Sequence, residues 1–298
     1  MGITQRITFV LFLTFGFVQA QRAPLQLYPK TELTAEQHIQ LADLKSLYDT
    51  KQATEEQKDA YGQLLIQAQQ FKKALEVYET LCQTQPDRFE YQFRRGAAAG
   101  FVLDTVSKIS ALPYLASLKS GFEKAIRINP NSISAQRALM SVYVDLPKLL
   151  GGDLSKALQI CAEIESISSF EGALAHVWFA SKTNQVDLAK KHMEWAINSA
   201  EKEITVNDSR YEFAVIAWMW GGDVALAKEY LRAFIHHSQP GDLYPAVFAQ
   251  YRLAEISELS DREATKPFAK ESIVKQFPKM ESWLETFDPI ASLIKSLP

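Results

Sequence analysis

Cysteine is nearly absent from this chain: Cys82 and Cys161 are the only two, too few for a disulfide framework. Both fall on apolar helix faces far apart in the sequence. Their Cα atoms are therefore not expected within the roughly 7 Å that a bridge requires, and two separate buried thiols are the expectation. Basic excess is also missing. The formal charge is −3, with no lysine-rich run, so the counterion release that drives nucleic-acid binding has no source and nucleic acid is excluded as a partner. The five histidines are scattered without ligand-spaced Asp, Glu or Cys. The adjacent His236 and His237 point to different sides of a helix, so no metal is expected. No G-x-S-x-G elbow and no recognisable Ser, His and Asp set is present, which leaves no catalytic residue, no cofactor and no enzyme to predict. Sustained alternation of β-branched residues is lacking as well, so an all-α fold follows.

One long uncharged run exists, at the N-terminus. Arg6, the apolar stretch Ile7 to Val18 and the small-residue site Val18-Gln19-Ala20 read as a secretory signal cleaved after Ala20. The run is shorter than the roughly 18 to 20 residues a membrane span needs. No cysteine near the cleavage point could accept a lipid. The expected mature chain is a periplasmic or secreted protein with no membrane insertion, its first segment, Gln21 to Thr31, extended or disordered.

The remaining sequence repeats. From Glu55, Gly62 stands at position eight, Ala74 at twenty, Tyr78 at twenty-four and Pro86 at thirty-two. These are the small-residue, aromatic and proline positions of a tetratricopeptide (TPR) unit of about 34 residues. Small residues let two helices approach, the aromatic fills the space between them, and proline stops the second helix. Gly96 keeps register 34 residues after Gly62, while Phe122 and Pro130 arrive ten residues late. An insertion containing Pro113 is therefore placed at 102–114, read as a short extra turn. Gly151-Gly152-Asp153 with Ala157 recurs as Gly221-Gly222-Asp223 with Ala227. In both, a glycine takes a left-handed conformation and the aspartate caps the next helix. The domain plan is a signal (1–20), an extended segment and capping helix (21–54), a right-handed superhelical solenoid of TPR-like hairpins (55–278) and a C-terminal capping helix (279–298).

The stretch Phe122-Glu123-Lys124-Ala125-Ile126-Arg127-Ile128-Asn129-Pro130, then Ala135-Gln136-Arg137-Ala138-Leu139, Leu146-Pro147 and Gly151-Gly152-Asp153, resembles periplasmic tetratricopeptide-repeat proteins of Gram-negative bacteria. The resemblance spans Tyr91 to Glu163 and implies a helical scaffold of the cell envelope. It brings no substrate and no catalytic residue.

In such arrays the first helix of each pair lines the concave face, where partners are held. Its inward positions here select Phe93, Phe101, Arg137, Ser141, Trp178, Lys182, Glu212, Met219 and Trp220. Trp178 and Trp218 also read as fillers between helices, and the core reading is preferred for both. Arg94-Arg95 could offer a guanidinium to an acidic peptide. The expected function is a non-catalytic scaffold for a peptide or envelope protein. The alternative is a solute-binding protein assisting a transporter, with the 102–114 insertion roofing a pocket.

Overall fold

The computed structural model describes residues 33–106, 108–199, 203–238, 244–260 and 270–297. The signal, its cleavage site and the extended segment that follows it lie outside these residues. Among the described residues every regular element is a helix, and α1 to α15 follow one another without a strand.

Six helix pairs stack in chain order: α2 (Glu55–Gln67) with α3 (Phe71–Thr84), α4 (Phe89–Thr105) with α5 (Lys108–Ile128), α6 (Ile133–Asp145) with α7 (Leu154–Ile167), α8 (Ser169–Thr183) with α9 (Val186–Asn198), α10 (Asn207–Met219) with α11 (Val224–His237), and α12 (Ala246–Ser260) with α13 (Lys270–Gln276). They are units 1 to 6 below. The first pair is preceded by α1 (Ala35–Asp49), and the last is followed by α14 (Met280–Phe287) and α15 (Pro289–Ser296). The helices from α1 to α13 pack mainly on their chain neighbours, as expected of a solenoid, whereas α15 packs mainly on α8 and α10.

The repeat positions explain the packing. A Cβ on Gly62 would sit 2.7 Å from the ring of Tyr78, and one on Gly96 would sit 2.9 Å from Phe122. The aromatic of the second helix thus rests on the bare backbone of the first. Ala74, Ala157, Ala189 and Ala227 are wholly buried in the second helices of units 1, 3, 4 and 5. In unit 2 the helices cross still closer, since a Cβ on Gly121 would lie 2.7 Å from Gly96 Cα.

Within pairs, the turn passes through one left-handed residue: Gln69 in unit 1, Gly151 in unit 3, Asn184 in unit 4 and Gly222 in unit 5. The two Gly-Gly turns differ in which glycine takes that conformation, because a 3-10 turn at Lys148–Leu150 precedes Gly151 in unit 3. Asp153 accepts from the amides of Ser155 and Lys156, and Asp223 accepts from that of Leu226. Both aspartates satisfy helix-start donors that would otherwise lack partners.

Three expectations are corrected. The extra residues of unit 2 form no separate turn: they lengthen α4 to 17 and α5 to 21 residues, against 13 and 14 for α2 and α3, and Pro113 lies inside α5. The C-terminal segment is not one capping helix. Asp288-Pro289 breaks it into α14 and α15, because proline has no N–H to continue a helix and suits a first turn. His176 and His192, read as scattered, stack with ring centroids 4.3 Å apart between α8 and α9. Cys82 and Cys161 are buried and unbridged. No helix of the described residues is long and apolar enough to cross a membrane.

Candidate functional site: the face lined by first helices

One device recurs at the start of three first helices, α4, α6 and α10. Gln92 donates through its side-chain amide to the carbonyl of Pro86 at 2.6 Å, and Gln136 donates to that of Pro130 at 2.7 Å. Arg210 does the same to Ile204 at 3.0 Å. Each is the fourth residue of its helix and reaches six residues back to the connection from the preceding unit. The tether fixes the angle between consecutive pairs and satisfies a carbonyl that has no helical partner.

The inner face begins on α2 and α4. Asp59 on α2 forms an ion pair with Arg94 on α4, and Arg95 donates to Ser120 Oγ on α5 at 2.9 Å. Neither guanidinium is thus held out as a lone anion hook. Phe93 and Phe101 are half-buried and lie two helical turns apart. Their buried sides are held by other rings: Phe93 against Phe122 at 5.6 Å and Phe89 at 5.9 Å, Phe101 against Phe71 at 5.0 Å. Part of each remains exposed. Ala97 between them is half-buried and small. Farther along, Ser141 is half-buried. Lys182 pairs with Asp145 at 3.0 Å and stands over the Trp178 ring at 5.5 Å.

The second half differs. Arg137 on α6 donates to both carboxylate oxygens of Glu212 on α10, at 2.5 and 2.6 Å. Both are buried, and the pair joins unit 3 to unit 5 across unit 4. Burial opposes the charge of Arg137, yet Glu212, Glu171 and Tyr244 together outweigh it and raise the pKa of the guanidinium. Burial pushes Glu212 up, with Arg137 opposing. Tyr244 donates to Glu212 at 3.2 Å and stacks on Tyr211 at 4.4 Å. Tyr211 donates to Asp288 at 2.8 Å. Asp288 also accepts from Arg252 at 3.1 Å and caps α15 through the amide of Ala291. Nearby, Glu171 accepts from the amides of Thr205 and Val206 and from the Ser209 hydroxyl, which anchors the start of α10.

Of the residues selected from sequence, Arg137, Glu212 and Trp178 are therefore buried and not open to a partner. The reason is physical. Curvature brings the fifth residue of α6 and the sixth of α10 together, and a carboxylate and guanidinium leaving water need each other. Met219 and Trp220 are half-buried against the core of the last units. Phe93, Phe101, Ser141 and Lys182, like Met219 and Trp220, keep part of their surface exposed. Trp178 fills core, as the preferred reading had it. Among the described residues no group of three His, Cys, Asp or Glu could hold a metal ion.

Solved structures similar to this chain include a tetratricopeptide repeat protein from Parabacteroides merdae, 13% identical, with a TM-score of 0.42, covering 88% of this chain and 100% of that one. A thermophilic TPR protein of Thermus thermophilus is 14% identical, with a TM-score of 0.38, over 74% of this chain and 98% of the other. The type IV pilus biogenesis factor PilW is 11% identical, with a TM-score of 0.33, over 89% and 99%. No family model and no curated protein matches the chain. The assignment of a TPR-like solenoid thus rests on the hairpin geometry itself.

Proposed function

We propose that the protein is a non-catalytic scaffold of the cell envelope, exported by its N-terminal signal, and that it holds a segment of a partner protein along the inner face of units 1 to 3. The observation that carries this reading is the pair Phe93 and Phe101. Each stays partly exposed while its ring is packed against neighbouring rings. Aromatic anchors that need no reordering on contact give more affinity than flexible ones, because little side-chain entropy is lost. Ala97 leaves room between them, and the Asp59–Arg94 and Asp145–Lys182 pairs border the stretch with polar groups. The reading as a solute binder loses its structural element, since the segment 102–114 is spent in the length of α4 and α5.

The test is a photoreactive residue at Ala97, compared with one at exposed Glu163 on α7, in the intact producing cell. A protein adduct specific to position 97, and lost when Phe93→Ala and Phe101→Ala are combined, supports the reading. Adducts independent of both phenylalanines overturn it.

A further inference from the structure

We infer that the inner face of units 4 to 6 is a second binding site, built for a short helix with an acidic N-cap, and that the chain's own α15 is its resting occupant. Helix α15 packs on α8 and α10. Both are first helices, so it lies on the concave side and not over the end of the stack. Ile290, Ala291, Leu293 and Ile294 are buried there, while Ser292, Lys295 and Ser296 face out. The cap Asp288 is 1% exposed and held by Tyr211 and Arg252. The site thus reads two things: a carboxylate at a helix start, and aliphatic side chains two, five and six residues beyond it.

Two observations make α15 an exchangeable occupant instead of a fixed part of the core. At eight residues it is shorter than the roughly 12 to 15 residues an isolated helix needs, so it is helical only because the groove holds it. The site also carries more donor capacity than α15 uses. Arg252, which holds the Asp288 cap through Nη2, has its Nε buried without a hydrogen-bond partner, and a buried donor left unsatisfied is costly. A partner helix of the same chemistry with one further acceptor near its cap would satisfy more of this site than α15 does.

The experiment uses the full chain and a labelled peptide of residues 285–298. Wild type should bind the peptide weakly, because the tethered copy competes at high effective concentration. The full-length variant Asp288→Ala with Leu293→Ser, whose own helix is weakened, should bind it at least tenfold more tightly. A peptide carrying Asp288→Ala should not bind. A cooperatively folded variant that binds no better than wild type overturns the proposal. Hydrogen exchange on wild type covers the case in which the variant does not fold. Amides of α15 should exchange by local opening, well ahead of those of α10, and exchange of both only on global unfolding overturns it. Phe93 and Phe101 take no part, so this result is separable from that for units 1 to 3.

Discussion

The two halves of the solenoid use the same repeat spacing and treat their inner faces in opposite ways. On α4 the buried residues, Tyr91, Gln92, Gly96, Ala98, Ala99 and Val102, leave Phe93, Ala97 and Phe101 partly open. On α8 every residue from Phe170 to Ala180 is buried. A helix apolar on one stripe covers one neighbour, whereas a helix apolar all round must be covered on every side. Chain neighbours cover most of α8 and α10, and α15 covers the side that stays open in the first half. Repeat spacing therefore sets how hairpins nest, and the composition of the first helix sets whether the groove stays empty.

The largest expected effect tests the filled half. Arg137→Ala leaves the Glu212 carboxylate buried beside only the Tyr244 hydroxyl, and losing one partner of a buried pair costs about 3–5 kcal/mol. Urea unfolding should show a loss of this size. Arg137→Met combined with Glu212→Leu should recover most of it, since two apolar groups need no pairing. A single-variant loss below about 1 kcal/mol would mean that units 3 and 5 are not joined by this contact. The open half has its own sensitive point. Gly121→Ala places a methyl against the backbone of Gly96, which no side-chain rotation can relieve. Overpacking of this kind costs about 1–3 kcal/mol, read in the same assay. An unchanged midpoint would show that α4 and α5 do not cross as closely as described.

What was legible in the sequence is what depends on neighbours in the chain. Gly62 with Tyr78 and Gly96 with Phe122 meet inside one hairpin, so spacing alone pairs them. The aspartate caps after the glycine turns were readable for the same reason. Another local signal was present and unread: Gln92 and Gln136 each stand six residues after a proline, and each bonds back to it. The Arg137–Glu212 contact spans 75 residues and depends on curvature accumulated over two units, which no local pattern encodes. The burial of Trp178 and the seat of α15 follow from that same curvature. A clue did exist, because the stretch from Phe170 to Ala180 has too few polar residues for a helix with an open face.

The smallest expected effect concerns pH and separates the halves again, because the stacked His176 and His192 belong to unit 4 alone. Burial lowers the pKa of His192 to about 4, and neighbouring His176 and Lys191 add to this against the opposing pull of Glu165. Burial also lowers His176, although the Glu165 carboxylate, 3.4 Å from its Nε2, opposes the shift. An unfolded histidine titrates near 6.5. Between that value and about 4 the unfolded chain therefore binds more protons than the folded one. The stabilisation is complete above the unfolded pKa and is lost as pH falls through this window. The unfolding midpoint of wild type should drop between pH 7 and pH 5 by more than that of His192→Gln, which keeps the volume roughly but cannot charge. Equal drops in the two proteins would show that the imidazole pair is not the source. In hydrogen exchange at pH 5 the acid-weakened amides should be those of α8 and α9, with α2 and α4 unaffected, because protonation forces two like charges together at a contact the first units do not contain.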